Sequence, residues 1–349
     1  MDKIEQLLNE GKFSEALKMI DGLEVSDTEK ACFLFFRAEA ERGLGFFDDA
    51  LKDYSSAQEF CDEDELLLDI LLGTAKCCRA LGREEETTAA SVGACALAAS
   101  LNMKKNDALL ERALALRLSG DLEEAEKIFK NLMKKYMKNG DASGVSFVCW
   151  SLGGLYRLQG RYKEGIKIFK KSLEYAMRNK DNEAAGYALF GLGGILRVAG
   201  FMGRALESYL KAKKIFAKTD DNFAKAYAEC GTSNVLRQMG RLQDAWEGYE
   251  RAHALYSGLK DWADLGFVEW GMGEISRKNG DFKSAEKFYK NAARLFEGRS
   301  EPRGEALVML SQAQLLYLTG KTKEAEEAHE AAMAHIRAHH LHTHLESFT

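Results

Sequence analysis

Leu152-Gly153-Gly154-Leu155-Tyr156-Arg157-Leu158-Gln159-Gly160-Arg161-Tyr162-Lys163-Glu164-Gly165-Ile166-Lys167-Ile168-Phe169 is the stretch that decides the fold. Gly160 is followed after two residues by an apolar one (Tyr162), after five by a small one (Gly165) and after nine by an aromatic (Phe169). The Gly-x-apolar-x-x-small cassette returns at Gly120, Gly200, Gly240, Gly280 and Gly320, every 40 residues, and Phe129, Tyr209, Tyr249 and Tyr289 keep the offset of nine. Earlier copies stand at Gly11 and Gly45, with a degraded one at Gly82 where Glu84 and Thr87 replace the apolar and small residues; these are 34 to 38 residues apart. Glycine adopts the left-handed conformation that ends one helix and lets the next begin after a tight turn. The small residue lets two helices approach, and the aromatic, one helical turn later, shares its face. The repeating unit is therefore an αα-hairpin.

Composition agrees. Hydrophobic residues make up 46% and charged residues 30% of 349 residues, enough apolar surface for a core and too much for a disordered chain. A single proline, Pro302, among abundant Ala, Leu, Glu and Lys favours helix. Asp141, Asp181, Asp221 and Asp261 recur every 40 residues in polar stretches, where an acid caps a helix start and suits its dipole. The spacing predicts helix A of the Gly160 unit over about 143–158 and helix B over about 161–178. The nine glycine anchors predict nine hairpins, the first with a shortened helix A, and an all-α chain without strands. Residues 1–105 form less regular repeats, 106–340 the regular 40-residue repeats, and 341–349 a histidine-containing tail. Helix B around Ala89–Leu101 should be the least regular, because its many small residues supply little apolar volume.

These positions resemble the tetratricopeptide repeat: a small residue in helix A (Gly153, Gly193, Ser233, Gly273, Ala313), the turn glycine, the apolar residue, the small residue and the aromatic. The closing proline of that repeat is missing and the regular units are longer than 34 residues, as in LGN/Pins-type adaptors, kinesin light chains and bacterial Rap-type regulators. The resemblance implies a right-handed superhelical solenoid with a concave, peptide-binding groove.

Residues three and four apart share a helix face, so Phe147, Trp150, Gly154 and Arg157 form one stripe. Later units supply Tyr187, Phe190, Gly194 and Arg197, then Tyr227, Cys230, Asn234 and Arg237, then Phe267, Trp270, Glu274 and Arg277. By the resemblance, this stripe faces the groove. Arginine stands three residues before the turn glycine at Arg42, Arg79, Arg117, Arg157, Arg197, Arg237 and Arg277, and Tyr317 breaks the series. Guanidinium groups fork onto carboxylates and stack on aromatic rings, so the ladder suits an acidic, aromatic-containing peptide. The alternative is structural, with each arginine in the last turn binding carbonyls or acids of the next unit. On the groove reading, the guanidinium groups of Arg157, Arg197, Arg237 and Arg277 should be at least partly exposed.

Other classes of function lack their marks. The net charge of −5, without blocks of like charge, argues against binding of a phosphate backbone. No run approaches the roughly 20 apolar residues of a membrane helix, no signal core opens the chain, and the seven cysteines show no CxxC spacing. Reduced core thiols and a cytoplasmic location are the expectation. No nucleophile with a base, metal shell or phosphate loop is apparent, so neither catalysis nor a cofactor is expected. Six histidines cluster near the end (His329, His335, His339, His340, His342, His344), either as metal ligands or as a frayed terminus. The expected function is a scaffold or adaptor that captures a protein or peptide partner; the alternative is a sensor whose superhelix responds to a small ligand or signalling peptide.

Overall fold

A computed structural model describes residues 2–23, 25–26, 29–299, 301–339 and 341. Eighteen helices pair into nine consecutive hairpins, an α solenoid with no strand among the described residues. The first pairs are α1 (Asp2–Asn9) with α2 (Phe13–Ile20), α3 (Lys30–Leu44) with α4 (Phe47–Glu59), and α5 (Asp64–Ala80) with α6 (Glu84–Leu101). Next come α7 (Lys105–Leu118) with α8 (Leu122–Asn139), α9 (Ala142–Leu158) with α10 (Tyr162–Arg178), and α11 (Asn182–Val198) with α12 (Met202–Phe216). The last are α13 (Asn222–Gln238) with α14 (Leu242–Leu259), α15 (Trp262–Lys278) with α16 (Phe282–Phe296), and α17 (Pro302–Leu318) with α18 (Thr322–Ala338). The chain divides into two compact units, Met1–Ser151 with Thr219–Asn222, and Leu152–Lys218 with Phe223–Thr349.

All nine cassette glycines have positive φ, between +70° and +86°. At Gly160 an added Cβ would meet nothing within 4 Å, so conformation and not space selects glycine there. The acids upstream act as caps: Asp141 accepts from the Gly144 N–H at 2.8 Å, Asp181 from Ala184 at 2.9 Å and Asp261 from Asp264 at 3.1 Å.

In the second unit the helix-B aromatics Phe169 and Tyr209 are each wedged between two A-helices. Tyr209 lies where a Cβ on Gly193 of its own hairpin would come to 3.0 Å and one on Gly231 of the next to 2.4 Å. Phe169 stands likewise between Gly153 and Gly191, at 2.8 and 2.2 Å. The wedge joins hairpin to hairpin within this unit.

The expectation for the third hairpin fails. Helix α6 runs unbroken for 18 residues, with Ala90, Ser91, Ala94 and Ala98 buried. Ala94 and Ala98 pack against Leu68, Leu72 and Ala108. Small residues here shorten the distance between helices, and the apolar volume comes from the neighbours' leucines.

Cys77, Cys78, Cys149 and Cys230 are buried free thiols; burial first, and then nearby acids, push Cys77 and Cys230 up to about 12. Among the described residues no helix is long and apolar enough to cross a membrane and no group of side chains could hold a metal ion. His335 contacts the Pro302 carbonyl at 3.0 Å, whereas His340, His342 and His344 lie outside the described residues.

Candidate functional site

The stripe predicted along the A-helices separates into an aromatic half and an arginine half. In the first unit, Phe147 is 41% exposed and lies 5.8 Å, centroid to centroid, from half-buried Trp150. In the second unit Tyr187, Phe190, Tyr227 and Phe267 are half-buried, with one edge in the core and the other reaching solvent. Tyr187 packs edge-on against Phe216 at 5.1 Å, Phe190 against Tyr209 at 5.4 Å and Phe267 against Phe296 at 5.0 Å, and Phe190 meets Tyr227 in a tilted pair at 5.3 Å. Fixed rings that keep one accessible edge are suited to holding apolar or aromatic groups of a ligand. Trp270, from the same stripe, is only 4% exposed; its indole donates to Ser311 Oγ at 2.9 Å.

The arginine half is largely sealed. Arg197 and Arg237 are 7% and 3% exposed, so the expectation of exposed guanidinium groups fails for both. Their positions explain why. Arg197 donates to Gln238 Oε1 at 3.4 Å, and around Arg237 the helix-B aromatic twelve residues later and the A-helix residue three residues earlier reach the same spot. Arg237 donates to the Tyr249 hydroxyl at 3.2 Å, its guanidinium lies 4.7 Å from the Trp270 ring centroid, and Tyr249 donates to Asn234 Oδ1 at 2.8 Å. Arg277 donates to Glu274 at 2.8 Å, and Glu274 also accepts from Tyr289 at 2.6 Å and Ser311 at 3.0 Å. Burial would raise Glu274, yet these hydrogen bonds hold its carboxyl below the usual range. In the first unit Glu39 accepts from Arg42 and Tyr54 in the same arrangement, Arg79 pairs with Glu111 of the next hairpin at 3.4 Å, and Arg117 donates to the Ser151 carbonyl at 3.5 Å. Arg42, Arg79, Arg117, Arg237 and Arg277 thus each have a hydrogen-bond or ion-pair partner within the protein.

The sixth hairpin is built differently. Where the eighth has Glu274 and the seventh Asn234, it has Gly194. A Cβ there would lie 3.3 Å from Arg157 Nη1 and 3.4 Å from the Tyr209 hydroxyl, so both groups close over the glycine. Arg157 is half-buried; burial and then the like charge of Arg197 lower its hold on its proton, and the groups that oppose this are phenols, Tyr209, Tyr227 and Tyr162. Arg303, at the start of α17, joins the same inner region: burial first, and then the like charges of Arg157 and Arg197, lower it to about 10 against the pull of Glu301 and Asp264. Asp264 is pushed well above the usual range by burial and by the charges of Asp261 and Glu301.

Asp264 and Arg303 were missed in the sequence because they break the repeat. The positions 40 and 80 residues before Asp264 are Ala224 and Ala184, and those before Arg303 are Ala263 and Phe223. Departure from the repeat was the available signal.

Two segments match family profiles described as tetratricopeptide repeat, residues 148–176 and 264–338. Among solved structures, a Rap protein complexed with Competence and Sporulation Factor is 18% identical, with 83% of this chain and 82% of that one covered and a TM-score of 0.69. The apo form of RapI is 15% identical over 76% of this chain and 97% of that one, with a TM-score of 0.52. A kinesin light chain of Podosopora anserina with nearly identical TPR-like repeats is 16% identical over 55% and 94%, with a TM-score of 0.43. No curated protein matches the sequence.

Proposed function

The chain belongs to the tetratricopeptide-repeat family, and from that premise we propose that it is a protein-interaction scaffold whose second unit holds an extended partner segment. The observation that carries this reading is the row of half-buried rings, Tyr187, Phe190, Tyr227 and Phe267, on successive A-helices. Each offers an accessible edge on a rigid support, so a bound segment orders few protein side chains and loses little affinity to entropy. The guanidinium groups of Arg157 and Arg303 beside this row favour a segment that carries acidic as well as aromatic side chains. The Rap structure complexed with Competence and Sporulation Factor is the same fold holding a ligand, which supports the reading by likeness of fold. No group of the chain is assigned a catalytic role. Phe147 and Trp150, in the first unit, are left outside this site.

A photo-crosslinking residue in place of Phe190 should capture a partner through its acidic, aromatic segment. The change Tyr187→Ala with Phe267→Ala should weaken capture at least tenfold, about 1.4 kcal/mol or more, while the helical signal persists. Undiminished capture by that folded double variant would refute the reading.

A further inference from the structure

Helices α1, α3 and α5 of the first unit, with the connection into α7, border a recess of about 230 Å³. Its apolar wall is Phe35 and Phe36 of α3, Leu66 of α5, and Met103. The two rings are half-buried and stand 5.7 Å apart, centroid to centroid; Phe36 packs on the cluster of Ile4 and Leu7, and Phe35 on that of Tyr54 and Ile70. The wall is therefore fixed before anything binds. An apolar cavity of about 150 Å³ already holds benzene, so this recess takes a phenyl ring or a leucine side chain.

The rim is acidic. Glu5, Glu65 and Asp69 line it against a single cation, Lys104, whose Nζ pairs with Asp69. Among the described residues Glu5 and Glu65 have no ion-pair partner. Burial raises the half-buried Cys32 thiol in the recess, and the charges of Glu63, Glu5 and Glu29 raise it further, so the negative potential reaches inside. The start of α7 also departs from the later repeats. Asp141, Asp181 and Asp261 cap α9, α11 and α15, whereas the N-cap of α7 is Lys104, left-handed at φ +48° and without a side-chain cap. A left-handed lysine is strained where glycine is not. It reaches Asp69 across the rim, with Met103 beside it on the recess.

We propose that this recess docks a basic segment of a partner protein, with an apolar side chain seated between Phe35, Phe36 and Met103 and a lysine or arginine beside it facing Glu5 and Glu65. Charge complementarity selects the occupant: three rim carboxylates against one ammonium attract a cation and repel the acidic segment proposed for the second unit. The inference goes beyond that reading, and the two sites differ in the sign of the charge they hold.

The test follows fluorescence anisotropy as the full chain is titrated into three labelled, end-blocked hexapeptides, one alternating lysine with phenylalanine, one lysine with glycine and one glutamate with phenylalanine. The lysine-phenylalanine probe should bind at least about tenfold tighter than either of the others, and rising salt should weaken it. Glu5→Lys with Glu65→Lys should weaken it about tenfold, whereas Glu326→Lys with Glu327→Lys, the same change of charge at exposed positions of α18, should leave it within about twofold. Lys104→Gly should bind it roughly threefold tighter and melt no lower than the parent, because it frees Asp69 and suits the left-handed backbone. Tyr187→Ala with Phe267→Ala should bind it as the parent does, which separates this site from the one in the second unit. Equal losses in the two charge reversals, undiminished binding by E5K/E65K, weaker binding by K104G, or comparable binding of all three probes would each overturn the proposal. A dimer of the parent that E5K/E65K dissolves, with no probe bound, would assign the face to a second copy and overturn it as well.

Discussion

Glu39 and Glu41 stand two residues apart on α3 and titrate in opposite directions. Burial would raise Glu39, but Arg42 and Tyr54 hold its carboxyl below the usual range. Burial also acts on Glu41, and here the neighbouring charge is Asp53, which already receives Arg37, so the carboxyl is raised to about 7. A raised acid makes the folded state bind its proton more tightly than the unfolded state does, so stability falls as pH climbs from the ordinary carboxylate range through about 7. Glu41→Gln should therefore stabilise the chain at pH 8, by roughly 1 kcal/mol since the partly exposed group is screened. The gain should vanish below the ordinary carboxylate range. Urea midpoints at pH 8 and pH 4 check this, and a gain of equal size at both would contradict it.

Between elements, stability rests on the aromatic wedges more than on helix propensity. A Cβ on Gly231 would fall 2.4 Å from the Tyr209 ring, which is held from its other side by Gly193. Gly231→Ala should cost about 2 kcal/mol in spite of alanine's better propensity. Gly203, in the first turn of α12, has nothing within 4 Å of its would-be Cβ, and Gly203→Ala should be neutral or slightly stabilising. Comparison of melting temperatures decides; equal losses at both sites would deny the wedge. The turn glycines and the aromatics were legible in the sequence because each does a local job at a fixed offset, and α9 was expected over 143–158 and spans 142–158. The order of α6 was misread because packing depends on the distance between helices as well as on the volume of one of them. The fate of the arginines was half legible. Glu274 and Tyr289 stand at fixed offsets from Arg277, but Arg303 feels the charge of Arg157 from a hairpin far away in the chain, which no local pattern states.

Within each unit, the hairpins' contacts are chiefly with their neighbours, so protection against unfolding depends on having a neighbour on both sides. The first hairpin has one neighbour and two eight-residue helices, whereas α11 to α16 are flanked on both sides and carry Tyr209, Tyr249 and Phe296 fully enclosed or nearly so. Hydrogen exchange followed by mass spectrometry should show α1 and α2 exchanging at least a hundredfold faster than α13 and α15, roughly 2.7 kcal/mol of difference in opening free energy. Uniform protection along the chain would contradict this. The wedges also bear on how such an array can be lengthened or recombined. Tyr209 is clasped by Gly193 from behind and Gly231 from ahead, so a cut at the hairpin boundary separates the ring from one of its two jaws. The transplantable cassette is therefore offset from the visible hairpin, running from the middle of one A-helix to the middle of the next. A graft spliced in that frame carries each ring together with both surfaces that clasp it, and leaves its junctions inside continuous helix.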